Sequence, residues 1–355
     1  MKATITTTAH YVPEKVLTNI EIAKLVDTSD EWIRSRTGIA QRHIVAENEA
    51  TSDMCTEVAK QLLEKRDLSP NDIDIIIVGT VTPDHFTPST AAIIQDNIGA
   101  ANAWGFDLSA ACSGFIFGLE TGAKFIESGA YQHIMVIGAD TMTSILDFTD
   151  RETCVLFGDG AGGVILEPSQ SGGGILDSIL HTDGSGGPSL WVPAGGSRQP
   201  ATLDTINEHS HYIKQDCKRV FKFAVKGMAD VSQQILKNNN LTGEKIKLFI
   251  PHQANKRIID ATAKRCGISH DKVLINIEWY GNTTAGTIPI GLSEAVEKGE
   301  LIDGDFLLLA SFGAGFTWGS ILIKWESHLC KQPGYSRAKH HRKSAWAGIF
   351  LKNQT

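Results

Sequence analysis

Short, mostly apolar runs recur along this chain, several ending at glycine or a small residue, with stretches of helical length between them. In the first half these are residues 73–79 (Ile73-Asp-Ile-Ile-Ile-Val-Gly79), 104–108 and 133–138 (His133-Ile-Met-Val-Ile-Gly138). In the second half they are residues 245–250, 306–310 and 319–325. A strand buried on both faces reads as such a run, and parallel strands need a long crossover, usually helical, between them. The intervening stretches supply it. Residues 90–98 form a candidate helix. In residues 114–128, Phe115, Leu119, Ala123 and Ile126 share one face at helical spacing, and Gly129 is the stop. Residues 256–266, stopped by Gly267, and 285–298, stopped by Gly299, repeat the plan. The expected class is α/β with parallel strands.

The two halves echo each other. Ala123-Lys-Phe-Ile-Glu-Ser-Gly129 before one strand resembles Ser293-Glu-Ala-Val-Glu-Lys-Gly299 before another. Phe157-Gly-Asp-Gly-Ala-Gly-Gly163 resembles Phe312-Gly-Ala-Gly-Phe-Thr-Trp-Gly319. Cys112 lies 34 residues beyond Val78, and Asn282 lies 32 beyond Ile250. A duplicated plan is therefore expected, with one half over 1–171 and the other over 172–325. Residues 172–200, rich in glycine and proline, and the polar 201–218 are expected to form loops at a site rim. Residues 326–355 set Lys331, Arg337, Lys339, Arg342, Lys343 and Lys352 against Glu326, and are expected to be a basic, mobile tail.

Composition excludes several classes. A net charge of -7 gives no general affinity for nucleic acid. The six cysteines form no CxxC pair, so neither a metal site nor a disulfide framework is expected, and reduced thiols fit a cytoplasmic protein. No apolar run approaches the roughly 18 residues of a membrane span. Gly158-Asp-Gly-Ala-Gly-Gly163 has the spacing of a dinucleotide loop, but Val164-Ile-Leu166 and Pro168 follow it. A strand there puts no helix N-terminus at a pyrophosphate, so a tight turn between strands is expected instead.

Three strand–helix junctions carry groups with chemistry. Cys112 sits among small residues in Leu108-Ser-Ala-Ala-Cys-Ser-Gly114, before the apolar helix. The positive end of the helix dipole is expected to lower its pKa. Alone, a cysteine is more often a buried structural thiol. His252 follows a strand in Pro251-His-Gln-Ala-Asn255, where α/β sheets place ligand-binding groups. Asn282, in Tyr280-Gly-Asn-Thr-Thr-Ala-Gly286, alone reads as a turn or cap residue. Cys, His and Asn at three such junctions of one α/β chain point to nucleophilic catalysis.

Four motifs jointly resemble β-ketoacyl-acyl-carrier-protein synthase III, a thiolase-superfamily condensing enzyme. They are Trp32-Ile-Arg-Ser-Arg-Thr-Gly-Ile39, Ala110-Ala-Cys-Ser-Gly114, Pro251-His-Gln-Ala-Asn255 and Gly281-Asn-Thr-Thr-Ala-Gly286, with the closing Ser311–Gly319 segment fitting too. The resemblance covers residues 1 to about 325. It implies a thiolase-like five-layered αβαβα fold from two similar halves, a homodimer, no cofactor, and no membrane or nucleic-acid partner. It implies that Cys112 takes an acyl group from acyl-CoA, with the backbone N–H groups of Cys112 and Ala314 as oxyanion donors. His252 and Asn282 would then stabilise the enolate from malonyl-acyl-carrier protein, initiating fatty-acid synthesis. By the same resemblance Thr28, Trp32, Arg36, Thr37, Arg151 and Asn255 would bind CoA. Gln253, Ala254, Lys256 and Arg257, helped by Lys218, Arg219 and Lys222, would meet the carrier protein.

Three features depart from the family pattern. Thr87 stands where a phenylalanine is common, with Phe86 one place earlier, so the acyl pocket is expected to admit primers longer than acetyl. Residues 181–222 are somewhat long, and the tail has no counterpart. A second cysteine, which a thiolase needs, is missing from residues 311–319, and Asn282 stands where elongating synthases carry histidine. Two alternatives remain: a related secondary-metabolism synthase with a longer primer, and a non-catalytic CoA- or carrier-binding protein.

Overall fold

The structure, a computed structural model, describes residues 1–326. Nine of the strands form the two main sheets. In chain order they are β1 (Ala3–Tyr11), β2 (Ile75–Gly79), β3 (Trp104–Leu108), β4 (Ile134–Asp140), β5 (Gly160–Pro168), β6 (Gly174–Thr182), β7 (Ile246–Pro251), β8 (Phe306–Gly313) and β9 (Thr317–Lys324). The helices that cover them are α2 (Thr51–Arg66), α3 (Thr90–Asn97), α4 (Gly114–Glu127), α5 (Cys217–Asn238), α6 (Lys256–Arg265) and α7 (Thr287–Glu297), while α1 (Asp30–Thr37) lies at the rim.

The first sheet has the order β1-β5-β4-β2-β3 and the second β7-β8-β9-β6. Strands β4, β2 and β3 are mutually parallel, as are β7 and β8. Read from β6, the second sheet repeats the first, and an isolated parallel bridge from Phe249 to Val273 stands where a fifth strand would pair. The duplication seen in two sequence echoes is thus repeated in strand order and direction.

Alternation along the strands sets the layers. Ile75, Ile77, Val136, Val164 and Leu166 share a central core with Leu307, Leu309, Ile321 and Ile323 of the second sheet. Phe115, Leu119 and Ile126 of α4 and Ile288, Leu292 and Ala295 of α7 lie in the same core. The opposite face of the first sheet, including Ile76, Val78, Met135 and Ile137, packs on Met54, Val58 and Leu62 of α2 and Ile94 of α3. The opposite face of the second, including Phe249, Leu308 and Leu322, packs on Met228 and Ile235 of α5 and Ile258 of α6. The result is five layers, αβαβα. Truncating a buried ring such as Phe115 to alanine costs about 3–5 kcal/mol, whereas an exposed pair such as Lys60–Glu57 contributes about 0–1 kcal/mol, so these cores dominate stability.

Four sequence expectations are corrected. Gly160, Gly162 and Gly163 lie inside β5, not in a tight turn. Glycine is needed there because α7 crosses closely: a Cβ on Gly162 would stand 2.7 Å from Ile290 N. The stretch assigned to loop holds β6, nine residues paired along β9. The polar segment up to 218 runs into α5, which begins at Cys217. Glu326, assigned to the tail, is 2 % exposed and accepts hydrogen bonds from Ser169 Oγ (3.0 Å), Gly173 N–H (3.0 Å) and Ser171 Oγ. The rest of the expected tail lies outside the described residues. No helix among these is long and apolar enough to cross a membrane.

Candidate active site

Cys112 lies in the single turn Ala111–Ser113 between β3 and α4. The turn is stitched to the second sheet. Ser311 Oγ donates to Cys112 O (2.8 Å), Thr317 Oγ1 to Ala110 O (2.8 Å), and Ser113 Oγ to Thr317 O (3.2 Å). Gly313, at the end of β8, meets the turn so closely that a Cβ there would be 2.7 Å from Cys112 N. Ala314 follows directly, so the two backbone segments expected to supply oxyanion donors are in contact.

His252 follows β7, and its N–H donates to Ala310 O of β8 at 2.8 Å. The residue is 2 % exposed, with Nδ1 2.7 Å from Thr287 Oγ1 at the start of α7. Asn282 is 5 % exposed. Its N–H donates to Leu156 O (2.9 Å), and its carbonyl accepts from Gly158 N–H (3.1 Å). Its Oδ1 accepts from Thr284 N–H (2.9 Å), leaving the NH2 group as the unspent end of the amide. Behind this loop, the fully buried Arg42 binds Val155 O (2.8 Å) and Asn19 Oδ1 (2.9 Å), and burial pushes its guanidinium down to about 10.

The two junction turns are structural counterparts. Ala111 (φ 48°) precedes the first residue of α4 by three positions, and Thr284 (φ 50°) precedes that of α7 by three. Both are non-glycine residues in the left-handed region, which is costly and held by surrounding contacts. The turns pack on each other, with a Cβ on Gly114 falling 3.4 Å from Ala285 Cβ. By this register Asn282 corresponds to Ser109, and Cys112 to Ala285. The turns that carry Cys112 and follow Asn282 therefore pack on each other, and His252 adjoins them through β8 and the α7 N-terminus.

Electrostatics differ from expectation at the sulfur. Burial pushes the Cys112 thiol up to about 12, and the Asp140 carboxylate adds to this, outweighing the favourable backbone N–H. Cys112 is 7 % exposed and lies two residues ahead of α4, so lost hydration outweighs the dipole. Burial also lowers His252 to about 3, so the imidazole is neutral. Asp140, at the end of β4, is fully buried, and burial raises its pKa even though it accepts from Thr80 Oγ1 (3.0 Å), Val81 N–H (2.7 Å), Thr82 Oγ1 (3.0 Å) and Thr284 Oγ1. Sequence reading passed over Asp140 and Thr287. The one available signal was a lone acid closing a buried apolar run.

At the rim, the Arg151 guanidinium lies over the Trp32 indole at 4.3 Å. Thr28 Oγ1 and Arg151 Nε are both buried without a hydrogen-bond partner. Arg36 is exposed. Thr37 is 4 % exposed and spends its hydroxyl on Ile33 O (2.6 Å) and Ile39 N–H (3.0 Å), which leaves no donor for a ligand. Asn255 caps α6 by accepting from Arg257 N–H (2.9 Å), and its amide donates to Arg36 O (3.0 Å). Both ends of that side chain are committed.

Gln253 does not reach a partner surface. It is 1 % exposed, donates to Pro251 O (2.8 Å) and Leu274 O (3.1 Å), and accepts from Asn276 and Ile277 N–H. Ala254 is half-buried. Lys256 pairs with Asp260 at 2.7 Å, whereas Arg257 is exposed and stacks over Phe221 at 5.1 Å. Lys218, Arg219 and Lys222 are exposed at the start of α5. Phe86 is 92 % exposed and Thr87 is exposed, so neither lines a cavity of its own chain.

Comparisons with known proteins bear on this arrangement. A profile of the 3-oxoacyl-[acyl-carrier-protein] synthase III family matches residues 106–184, and one of its C-terminal region matches 236–325. Over 329 residues the chain is 57 % identical to β-ketoacyl-[acyl-carrier-protein] synthase III of Chlorobaculum tepidum, covering 92 % of this chain and all of that one. The same-named protein of Chlorobium phaeovibrioides is 55 % identical over the same shares. The crystal structure of the Aquifex aeolicus 3-oxoacyl-[acyl-carrier-protein] synthase III superposes with a TM-score of 0.84 at 41 % identity, covering 91 % of this chain and 100 % of that one.

Proposed function

Because the chain belongs to the 3-oxoacyl-[acyl-carrier-protein] synthase III family and is thus a condensing acyltransferase of thiolase-like fold, we propose that it joins an acyl-CoA primer to malonyl-acyl-carrier protein, initiating fatty-acid synthesis. In the first half-reaction the Cys112 sulfur attacks the acyl-CoA carbonyl. The N–H groups of Cys112 and Ala314 hold the oxyanion, CoA leaves, and the proton given up by the thiol ends on CoA. In the second, malonyl-acyl-carrier protein loses CO2. The resulting enolate attacks the acyl-cysteine, and the departing Cys112 thiolate takes up a proton. No cofactor enters either step.

One observation supports the second half-reaction most directly. The oxygen of the Asn282 amide is tied to Thr284 N–H, so its NH2 is the end left for substrate, and the nearby imidazole is neutral. Two neutral donors favour the negative charge that develops on a thioester oxygen, which a carboxylate would oppose. For CoA, the support is the Trp32–Arg151 stack and the unpartnered Thr28 Oγ1 and Arg151 Nε. For an acidic carrier protein, the support is the exposed Arg257, with Lys218, Arg219 and Lys222 exposed at the start of α5.

A homodimer belongs to the same proposal. Strand β3 is the edge of its sheet, it carries the 43 % exposed Trp104, and Phe86 stands on a loop whose following helix caps on Asp107 of that strand. Phe86 and Thr87 are thereby proposed to reach the partner's acyl channel. The division at 171/172 is proposed from the repeated strand order, and a cytoplasmic setting from the free thiols. Incubation with radiolabelled acetyl-CoA tests the chemistry: wild type should carry label on Cys112 and Cys112→Ser should not. Equal labelling of both would end the assignment.

A further inference from the structure

The neutral imidazole proposed as an enolate donor has two tautomers, and only the one with the proton on Nε2 can donate from the free ring nitrogen, because Nδ1 is engaged by Thr287. What selects it is not on His252 itself. Thr287 Oγ1 lies 2.7 Å from Nδ1 and 3.0 Å from the carbonyl oxygen of Thr284. Its single proton thus has two acceptors, of which the imidazole nitrogen is nearer and more basic. A hydroxyl donating to Nδ1 leaves the ring proton on Nε2. No carboxylate is paired with this ring among the described residues, so no charge competes to place the proton on Nδ1.

The hydroxyl is in turn set by a buried acid. Thr284 adopts a left-handed backbone (φ 50°) that a threonine rarely takes. Its Oγ1 donates to Asp140 Oδ2, and Ala285 N–H points at the same oxygen at 3.4 Å. From this one pinned turn both donors are oriented: Thr284 N–H fixes the Asn282 oxygen, and the turn into α7 presents Thr287 to His252. Asp140 itself is anchored from the first half by Thr80, Val81 and Thr82. The clamp therefore spans both halves.

We propose that Thr287 is a positioning residue that holds His252 with its proton on Nε2, and that Asp140, through Thr284, fixes the turn from which Thr287 and Asn282 act. This rests on the assignment of His252 as an enolate donor and names what makes it one.

Thr287→Val keeps the shape and removes the hydroxyl, while Thr287→Ser keeps the hydroxyl. The expected result is a roughly ten- to hundredfold lower kcat for malonyl-carrier decarboxylation in the valine variant, as orienting partners of histidine ligands lose when removed. KM should change by no more than about twofold, labelling of Cys112 by acetyl-CoA should persist, and serine should restore the rate. Nitrogen-15 NMR of histidine-labelled wild type should show the proton on Nε2. A proton on Nδ1, or wild-type decarboxylation by Thr287→Val while His252→Ala is slow, overturns this inference and leaves the role of His252 standing. Wild-type decarboxylation by His252→Ala overturns both. Parallel loss of labelling and decarboxylation in Thr287→Val reduces Thr287 to a structural residue and overturns it as well.

Discussion

The nucleophile is kept as a thiol. Burial holds Cys112 at about 12, against an ordinary cysteine near 8.5. The thiolate is the reactive form, so alkylation of Cys112 by iodoacetamide should rise about tenfold per pH unit from pH 6 to 10 without a plateau. A plateau near pH 7, measured by mass spectrometry of the Cys112 peptide, would show that the dipole wins after all. Cys112, His252 and Asn282 could be singled out from the sequence only together, because all three stand at strand–helix junctions of one chain. Their supporting shell could not. Asp140 meets Thr284 across 144 positions and His252 meets Thr287 across 35, and neither contact leaves a periodic trace.

Elements buried on both faces were readable, because the runs of β2, β4 and β7 are apolar apart from Asp140 and Lys247. Strand β1 was hidden because its buried positions include Thr4, Thr6 and Thr8, and β6 because it mixes Asp177, Ser178 and His181 into a strand at the edge of its sheet. The α5 helix was masked by the charges of its exposed first turns. The segment before α5 is held by pairing of Lys214 and Gln215 with Trp191 and Leu190, and by two contacts to residues 145–147. His209 Nδ1 lies 2.6 Å from Asp147, and Ile213 N–H donates to Ile145 O. Burial opposes the charge on Asp147, but hydrogen bonds from Thr149 and His209 hold it down at about 2. A carboxyl depressed on folding stabilises above its unfolded value of about 4 and loses that contribution as pH falls through about 2. Asp147→Asn should therefore flatten the acid limb of the stability curve between pH 4 and 2, followed by urea midpoints. At pH 7 it should raise amide exchange over residues 203–213 and leave the central layer unchanged. An unaltered acid limb would remove Asp147 from that role.

At the scale of the molecule, the repeat is close enough in strand order to place the reactive turns as counterparts, yet only one sheet carries a complete fifth strand. That strand, β3, is the proposed seam between two copies. Trp104→Arg should shift the mass in solution from twice 38.5 kDa toward 38.5 kDa, read by light scattering. In the intact dimer, Thr87→Phe should shorten the longest acyl-CoA primer accepted. A wild-type monomer, or strict acetyl preference before any change at Thr87, would contradict the seam or the pocket respectively. The pinning of Glu326 has a practical outcome. Strand β9 runs from beside the Cys112 turn to Lys324, about 25 Å for eight residues, so Glu326 is anchored at the pole remote from the sulfur. A bead or surface coupled through the exposed Lys324 would grip the protein by its base and leave the mouth open to solution.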